Sequence, residues 1–427
     1  MKHGWEIKKL GEVCDFQNGF AFQSKSYKEN GLPILRITNI QKDEIDTKEL
    51  VYFDTKDYKV NLDKFKVYQD DLLIAMSGAT TGKLGINKSE TVFYLNQRVG
   101  KFIPKKFLNK AFLYYLLTTK VEESLRIAAG AAQPNLSTEQ INNFEIPLPP
   151  LPEQQRIVSI LDEAFAAIAK AKANAEQNLN NAKELFESYL QGVFENGNWE
   201  TKKLNEITEV KDGTHDSPKY IKEGIPFVTQ KNIKPDGLSF DDTKFITDTD
   251  HEKFYKRSNV TFGDILISMI GANRGMAAIV DDKRVFSIKN VGLIKSSDNI
   301  NINYLLYYLK SSKAMQYVLY MSNGGAQEFV GLTALRSFPI PMPALKDQQT
   351  IVRQLDALRA ETQKLEAVYQ KKIDDLEELK KSILQKAFAG ELRGGDPAEP
   401  KTEKSRRDDK IIENKINHPR TNPEGVL

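Results

Sequence analysis

Two stretches of the chain carry a long helical stripe of apolar positions. From Pro152 to Phe194 there is no further proline, and the only glycine is Gly192. Apolar residues fall at Ile157, Leu161, Phe165, Ile168, Ala175, Leu179, Ala182, Phe186, Tyr189 and Val193, in steps of three, four and once seven, with Lys172 at the gap. That spacing is the heptad signature of helices that pack on one another. A second stripe runs through Ile351, Leu355, Leu358, Leu365, Tyr369, Leu376, Leu379, Ile383 and Ala387, with Thr362 and Lys372 at its gaps. Each predicts a helix of about 40 residues, or about 60 Å at 1.5 Å per residue. A lone helix of that length has to bury its stripe. Either the two helices pair, and chain direction then makes them antiparallel, or each decorates its own domain. The persistence of the heptads favours pairing.

Ahead of each stripe the pattern changes to short apolar runs broken by turn residues, as strands require. Gly31–Ile37 reads as a turn followed by a strand, and Asp70–Met76 as a buried strand ending at Ser77-Gly78. Gly224–Val228 and Gly263–Met269 repeat both. Ala111–Lys120 and Tyr304–Lys313 read as short amphipathic helices. The expectation is an α+β chain: two pseudo-symmetric mixed α/β domains at 1–150 and 195–343, separated by a long antiparallel two-helix coiled coil at 151–194 and 344–390. Residues 391–427 lack periodicity and read as a disordered tail.

The repetition extends to individual residues. Trp5-Glu6-Ile7-Lys8-Lys9-Leu10 returns 194 positions later as Trp199-Glu200-Thr201-Lys202-Lys203-Leu204. Pro147-Leu148-Pro149-Pro150-Leu151, with Gln154-Gln155, Ile157-Val158 and Leu161-Asp162, returns as Pro341-Met342-Pro343-Ala344-Leu345, with Gln348-Gln349, Ile351-Val352 and Leu355-Asp356. A period this long marks a duplicated domain with its connector, not a solenoid of short repeats. Two similar modules on one chain suit a two-part ligand.

Composition narrows the class. The chain has 427 residues, 40% hydrophobic and 28% charged, enough for two or three domains with real cores. No run of about 18 apolar residues predicts a membrane span, and residues 1–30 do not read as a signal peptide. One cysteine, Cys14, fits a reducing, cytoplasmic setting. The net charge of +3 neither requires nor excludes nucleic acid.

Catalytic patterns are largely missing. Gly78-Ala79-Thr80-Thr81-Gly82-Lys83-Leu84 is close to a phosphate loop, but it is one residue short between glycines and has Leu84 where a hydroxyl should follow the lysine. A tight basic turn meeting a backbone phosphate is the alternative. The second copy, Gly271-Ala272-Asn273-Arg274-Gly275-Met276, has no lysine. The four histidines, His3, His215, His251 and His418, are not at ligand spacing. His215 lies in a loop by composition, where it is either solvated, the favoured reading, or able to touch a base edge.

The Trp–Lys-Lys-Leu opening, the Ser77–Lys83 turn, Gln133-Pro134-Asn135-Leu136-Ser137, and Ile146–Leu151 followed by Glu153-Gln154-Gln155-Arg156-Ile157-Val158 together resemble the specificity subunit of Type I restriction–modification systems. The likeness covers roughly residues 5–390. The second copy departs from the pattern at Gln327-Glu328-Phe329-Val330 and at Ala344. The resemblance implies two target-recognition domains, each reading one half of a bipartite, asymmetric double-stranded DNA target, with the helices as spacer. It implies a non-catalytic chain without its own cofactor. S-adenosylmethionine, ATP and Mg2+ would belong to partners: two methyltransferase (modification) subunits and restriction/translocase subunits. Recognition modules on one DNA face lie about 34–36 Å apart or at multiples of that distance, which a strut of about 60 Å can match.

Base edges are read by Arg, Lys, Asn, Gln and hydroxyl groups. On that ground the DNA-binding candidates in the first domain are Arg36, Asn39, Ser77, Thr80, Lys83, Arg98, Gln133 and Asn135. In the second they are Lys211, Thr229, Gln230, Asn232, Arg274, Lys289, Asn290 and Gln327. Residues shared by both copies, such as Asn39/Asn232 and Gln133/Gln327, point to scaffold or phosphate roles. Differing ones, such as Arg36 against Thr229, point to reading. Gln154-Gln155 and Gln348-Gln349 are the partner-docking candidates. Ile157, Leu161, Ile168, Ile351, Leu355 and Leu365 are the expected seam, with Ile157/Ile351 and Leu161/Leu355 as aligned pairs. A self-contained methyltransferase or nuclease, and a coiled-coil scaffold without DNA, are the rival readings.

Overall fold

The computed structural model describes residues 4–127, 135–271, 273–322 and 329–392. It forms two compact units, one of Met1–Ala171 with the chain from Asp375 on, the other of Lys172–Asp374. The expected tail beyond residue 392 lies outside the described residues.

The first unit is built around strand Leu72–Ala75, whose four side chains are all buried. Its side chains alternate between two cores, as pleating dictates. Leu72 and Ile74 enter one with Phe112 and Leu116 of helix Lys110–Ile127. Leu73 and Ala75 enter the other with Phe53, Phe93 and Val99. The sheet carrying this strand is antiparallel, in the order Cys14–Asn18, Val99–Pro104, Leu72–Ala75, Leu84–Ile86. A second sheet pairs Leu32–Leu35 in parallel with Phe93–Leu95. The second unit repeats the arrangement around Ile265–Ser268. Ile265 and Ile267 face one core, and Leu266 faces the other.

The two ends of each domain are hydrogen-bonded to each other. Glu6–Lys9, beside buried Trp5, pairs antiparallel with Glu145–Leu148. Thr201–Lys203 pairs in the same way with Pro339–Pro341. The repeated Trp and Pro motifs are therefore one structural device. They close the domain and deliver the chain into a long helix.

Those helices are Leu151–Asn196, of 46 residues, and Leu345–Ala389, of 45. Each extends about 70 Å. In the first unit Ile157 and Leu161 of the first helix share a core with Leu384 and Ala387 of the second. In the second unit Phe186, Leu190 and Phe194 share a core with Val352 and Leu355. The start of one helix thus lies against the end of the other in each unit, so they run antiparallel.

This corrects the expected seam pairs. Ile157 and Leu161 belong to the first unit's core, while Leu355 lies in the second unit's core and half-buried Ile351 packs against it. They are equivalent positions, not facing ones, because antiparallel register sets Tyr189 opposite Gln354 (Tyr189 Oη donates to Gln354 Oε1 at 3.3 Å). Ile168 is buried and Leu365 is half-buried. Tyr189 and Leu379, placed on the stripes by spacing, are exposed. Near its end the first helix turns its apolar face to the second domain. Leu190 and Phe194 are buried there, Phe194 against the rings of Tyr304 and Tyr308. Each helix therefore both pairs and packs on a domain.

Candidate nucleic-acid interface

Beyond strand Leu72–Ala75 of the first unit, Met76 holds two loops at once. Its N–H donates to Arg98 O at 2.9 Å, and its carbonyl accepts from Leu136 N at 2.9 Å. Ser77 bridges Asn135. The result is a groove of about 670 Å3 lined by Asn18, Ser77, Gln97, Arg98, Asn135 and Thr138 among others. Its lining can serve nucleic acid. Asn18 Nδ2 donates to Thr138 Oγ1 at 2.8 Å, fixing two amide and hydroxyl groups at one rim. Ser77 Oγ is buried and has no hydrogen-bond partner among the described residues, and such a group is completed by a ligand or by water. Arg98 is exposed and makes no side-chain hydrogen bond or ion pair among the described residues. A guanidinium at a groove rim is the group best suited to phosphate or guanine.

The groove thus brings together three of the eight first-domain candidates, Ser77, Arg98 and Asn135. Gln133 lies outside the described residues. The remaining four are held by hydrogen bonds within the domain. Asn39 is 3% exposed, and its amide accepts from Arg36 N and donates to Asp46 O and Glu49 O. The Arg36 guanidinium donates to Glu49 O at 3.1 Å. Thr80 Oγ1 donates to Ile37 O at 3.0 Å, and Lys83 Nζ to Gln41 Oε1 at 2.8 Å. The Gly78–Lys83 turn is therefore tied inward. A Cβ on Gly82 would stand 2.5 Å from Val121, so the turn lies on helix Lys110–Ile127 and does not project as a phosphate loop.

The second domain repeats the scaffold and changes the chemistry. Asn232 is 5% exposed and makes the equivalent clip, accepting from Thr229 N and donating to Ser239 O and Thr243 Oγ1. Thr229 caps the same turn, and Gln230 accepts from Ser268 Oγ. Arg274 donates to Ser322 Oγ and Gly271 O. Lys211 pairs with Glu209 at 3.1 Å, and Lys289 donates to Ser217 Oγ. Gln327 lies outside the described residues.

Strand register shows which positions correspond. Asn18 pairs with Gly100 as Asp212 pairs with Gly292. The Ser77–Asn135 bridge becomes Ile270–Phe329. Beside Asn18, a Cβ on Gly19 would lie 2.0 Å from Asn96 O. Beside Asp212, one on Gly213 would lie 2.4 Å from Ile288 O. Both glycines let this strand end press on its neighbour.

At Asn18's address the second domain carries a charged cluster. Asp212 accepts three hydrogen bonds of 2.7–3.0 Å from Arg257 Nε and Nη2. His215 Nε2 lies 3.1 Å from Asp212, and Nδ1 lies 2.7 Å from Asn290 Oδ1. His215 is thus a loop residue held at both nitrogens, not freely solvated. Nearby, Lys253 hydrogen-bonds Asp216 at 2.8 Å and holds that carboxyl below its ordinary range.

Sequence reading missed Asn18, Gln97, Thr138, Asp212 and Arg257. The recurrence of a polar residue before Gly19 and Gly213 was a usable signal for the first and fourth. Arg257 had none, because residues 234–259 barely align with residues 41–66 of the first copy.

The partner candidates also divide. Gln154 is fully buried. It accepts from Asn109 N at 2.8 Å and donates to Phe107 O and Pro149 O. Gln348 does the same with Asn301 N and Pro343 O. Neither can meet a partner. They lock each long helix to its domain, as do the Tyr115–Asp162 and Tyr307–Asp356 hydrogen bonds. Gln155 and Gln349 are exposed.

Comparison with known proteins is consistent with this architecture. The family described as Type I restriction modification DNA specificity domain matches residues 2–179 and again 196–376. The specificity subunit of the Type I restriction enzyme EcoBI of Escherichia coli is 26% identical, over 91% of this chain and 86% of its own length. The EcoKI specificity subunit of Escherichia coli strain K12 is 22% identical, over 92% and 90%. In fold, the chain resembles the crystal structure of the HsdS subunit from Thermoanaerobacter tengcongensis, with a TM-score of 0.59 and 18% identity over 92% of this chain and 98% of that one. A chain from a structure on complex assembly and conformational transition of the type I R-M system gives 0.74 and 19%, over 92% and 99%. With both copies of its domain matched, this chain belongs to the family of Type I restriction–modification DNA specificity proteins.

Proposed function

We propose that this chain is the DNA-reading subunit of a Type I restriction–modification complex. It takes no part in the bond chemistry. Each domain reads one half of a bipartite, asymmetric double-stranded target, and partner subunits methylate adenine or restrict unmodified DNA. One observation carries the asymmetry. Corresponding positions of one scaffold hold Asn18 in the first domain and the Asp212–Arg257–His215 cluster in the second. Unlike groups at one address read unlike bases.

The two long helices act as the spacer and carry the docking surface for two methyltransferase subunits, with Gln155 and Gln349 as the exposed members of the repeated pairs. Restriction/translocase subunits complete the assembly. S-adenosylmethionine, ATP and Mg2+ act on those partners, in a bacterial or archaeal cytoplasm. Among the described residues no helix is long and apolar enough to cross a membrane.

The test is reconstitution of the chain with its methyltransferase partner, followed by mapping of modified adenines and weighing of the saturated complex. Two unlike half-sites at a fixed spacing, and two methyltransferase subunits per chain, are expected. Methylation or cleavage by the purified chain alone would favour an enzyme. No salt-dependent DNA affinity with partners present would favour a protein scaffold, since phosphate contacts require that dependence.

A further inference from the structure

We propose that Arg257, set in place by Asp212, is a base-reading residue of the second domain and recognises a guanine in the major groove of the second half-site. This rests on the reading of the chain as a DNA specificity subunit.

Arg257 is presented as a reading group has to be. Its Nε and Nη2 grip the buried Asp212 carboxylate, which fixes the plane of the guanidinium. Nη1 has no partner among the described residues, and the side chain is 50% exposed. A planar fork held on one edge and open on another is pre-organised to donate to guanine O6 and N7. Lysine, a point charge on a flexible stem, cannot reproduce that geometry.

The backbone beneath it is equally fixed. Arg257 sits in the last turn of helix Asp248–Ser258. Thr247 caps the start of that helix, and Asn259, at φ 50°, closes its end in the left-handed conformation. Phe254 stacks on Phe227 at 5.6 Å, and His251 Nδ1 lies 2.8 Å from Ser287 Oγ. A side chain on a rigid element holds its register better than one on a loop.

Position supplies the second line. Asp212 occupies the address that Asn18 holds in the first domain, where Asn18 lines the Arg98 groove. In the first domain, Phe53 and Lys66 are joined through the short turns Thr55–Asp57 and Asp63–Phe65. The helix carrying Arg257 therefore has no counterpart there, as expected of an element that gives the second half-site its own sequence. His215 flanks the cluster. Its ring, 56% exposed, stands beside Arg257 with both nitrogens engaged by the protein.

The test uses the full chain in complex with its methyltransferase partner and duplexes carrying every base at each half-site position. Wild type, Arg257→Ala and Arg257→Lys are compared. Both variants should lose preference for one G·C pair of the second half-site by about tenfold or more. The first half-site preference should stay intact, which also reports that the complex is folded. If Arg257→Ala does not fold, Arg257→Lys, which keeps the charge facing Asp212, carries the comparison. The inference is overturned if lysine restores the preference, if both variants weaken all duplexes equally with a shallower salt dependence, or if neither changes anything. Failure of wild type to prefer any two-part duplex would instead overturn the functional reading beneath it.

Discussion

The side-chain oxygen of Gln154, in the first turn of a long helix, accepts the backbone N–H of Asn109 at 2.8 Å, across the point where helix meets domain. Gln348 and Asn301 repeat the contact at the same length. Both glutamines are buried, and truncating Gln154 leaves the Asn109 N–H and the Phe107 and Pro149 carbonyls without their partner. Gln154→Ala should cost about 1–3 kcal/mol of unfolding free energy. Gln155→Ala should cost almost nothing, because its side chain is exposed. Denaturant unfolding of the two variants checks this, and equal destabilisation would show that the lock is misassigned.

The groove makes an opposite pair of expectations. Arg98→Ala removes an exposed side chain without a protein partner among the described residues, so thermal stability should hold. DNA affinity should fall, and base preference should change only within the first half-site. Thr80→Ala and Lys83→Ala should leave base preference unchanged, because the two side chains are tied to Ile37 and Gln41 within the domain. Binding of the reconstituted complexes to a duplex panel separates these outcomes.

The asparagine clips should behave as scaffold in both domains. Asn39→Ala and Asn232→Ala each leave several loop groups unsatisfied, at about 1–3 kcal/mol. Any loss of DNA binding should follow stability, without a change in which bases are preferred.

Acid should weaken the second domain through His251. Desolvation by burial lowers its pKa below the ordinary 6.5. The unfolded chain therefore takes up this proton first, and the stability contributed by the neutral ring is lost as pH falls through 6.5 toward the depressed folded value. His251→Gln can still hydrogen-bond Ser287 and should flatten that part of the stability-versus-pH curve. Identical curves for the two proteins would refute the assignment.

The long-period repeat made the duplicated domains and the helices legible from sequence, because hydrophobic spacing and a fixed displacement are both local patterns. Helix facing was not legible. Heptad steps place Leu161 and Leu355 on stripes, but only antiparallel register tells that they are equivalent and not opposed. The site was half legible. A polar residue in a loop looks alike whether it faces DNA or clips the backbone, and Asn39 and Arg98 separate only by burial. Arg257 was invisible, because its role depends on Asp212, 45 positions away in the chain.

The central claim is that each domain reads its own half-site independently. Its most direct measurement is genome-wide mapping of methylated adenines after residues 11–140 are exchanged for those of a relative with a different target. The account predicts that one half of the recognition sequence changes while the other half and the spacing persist. A target altered in both halves, or in neither, would contradict it.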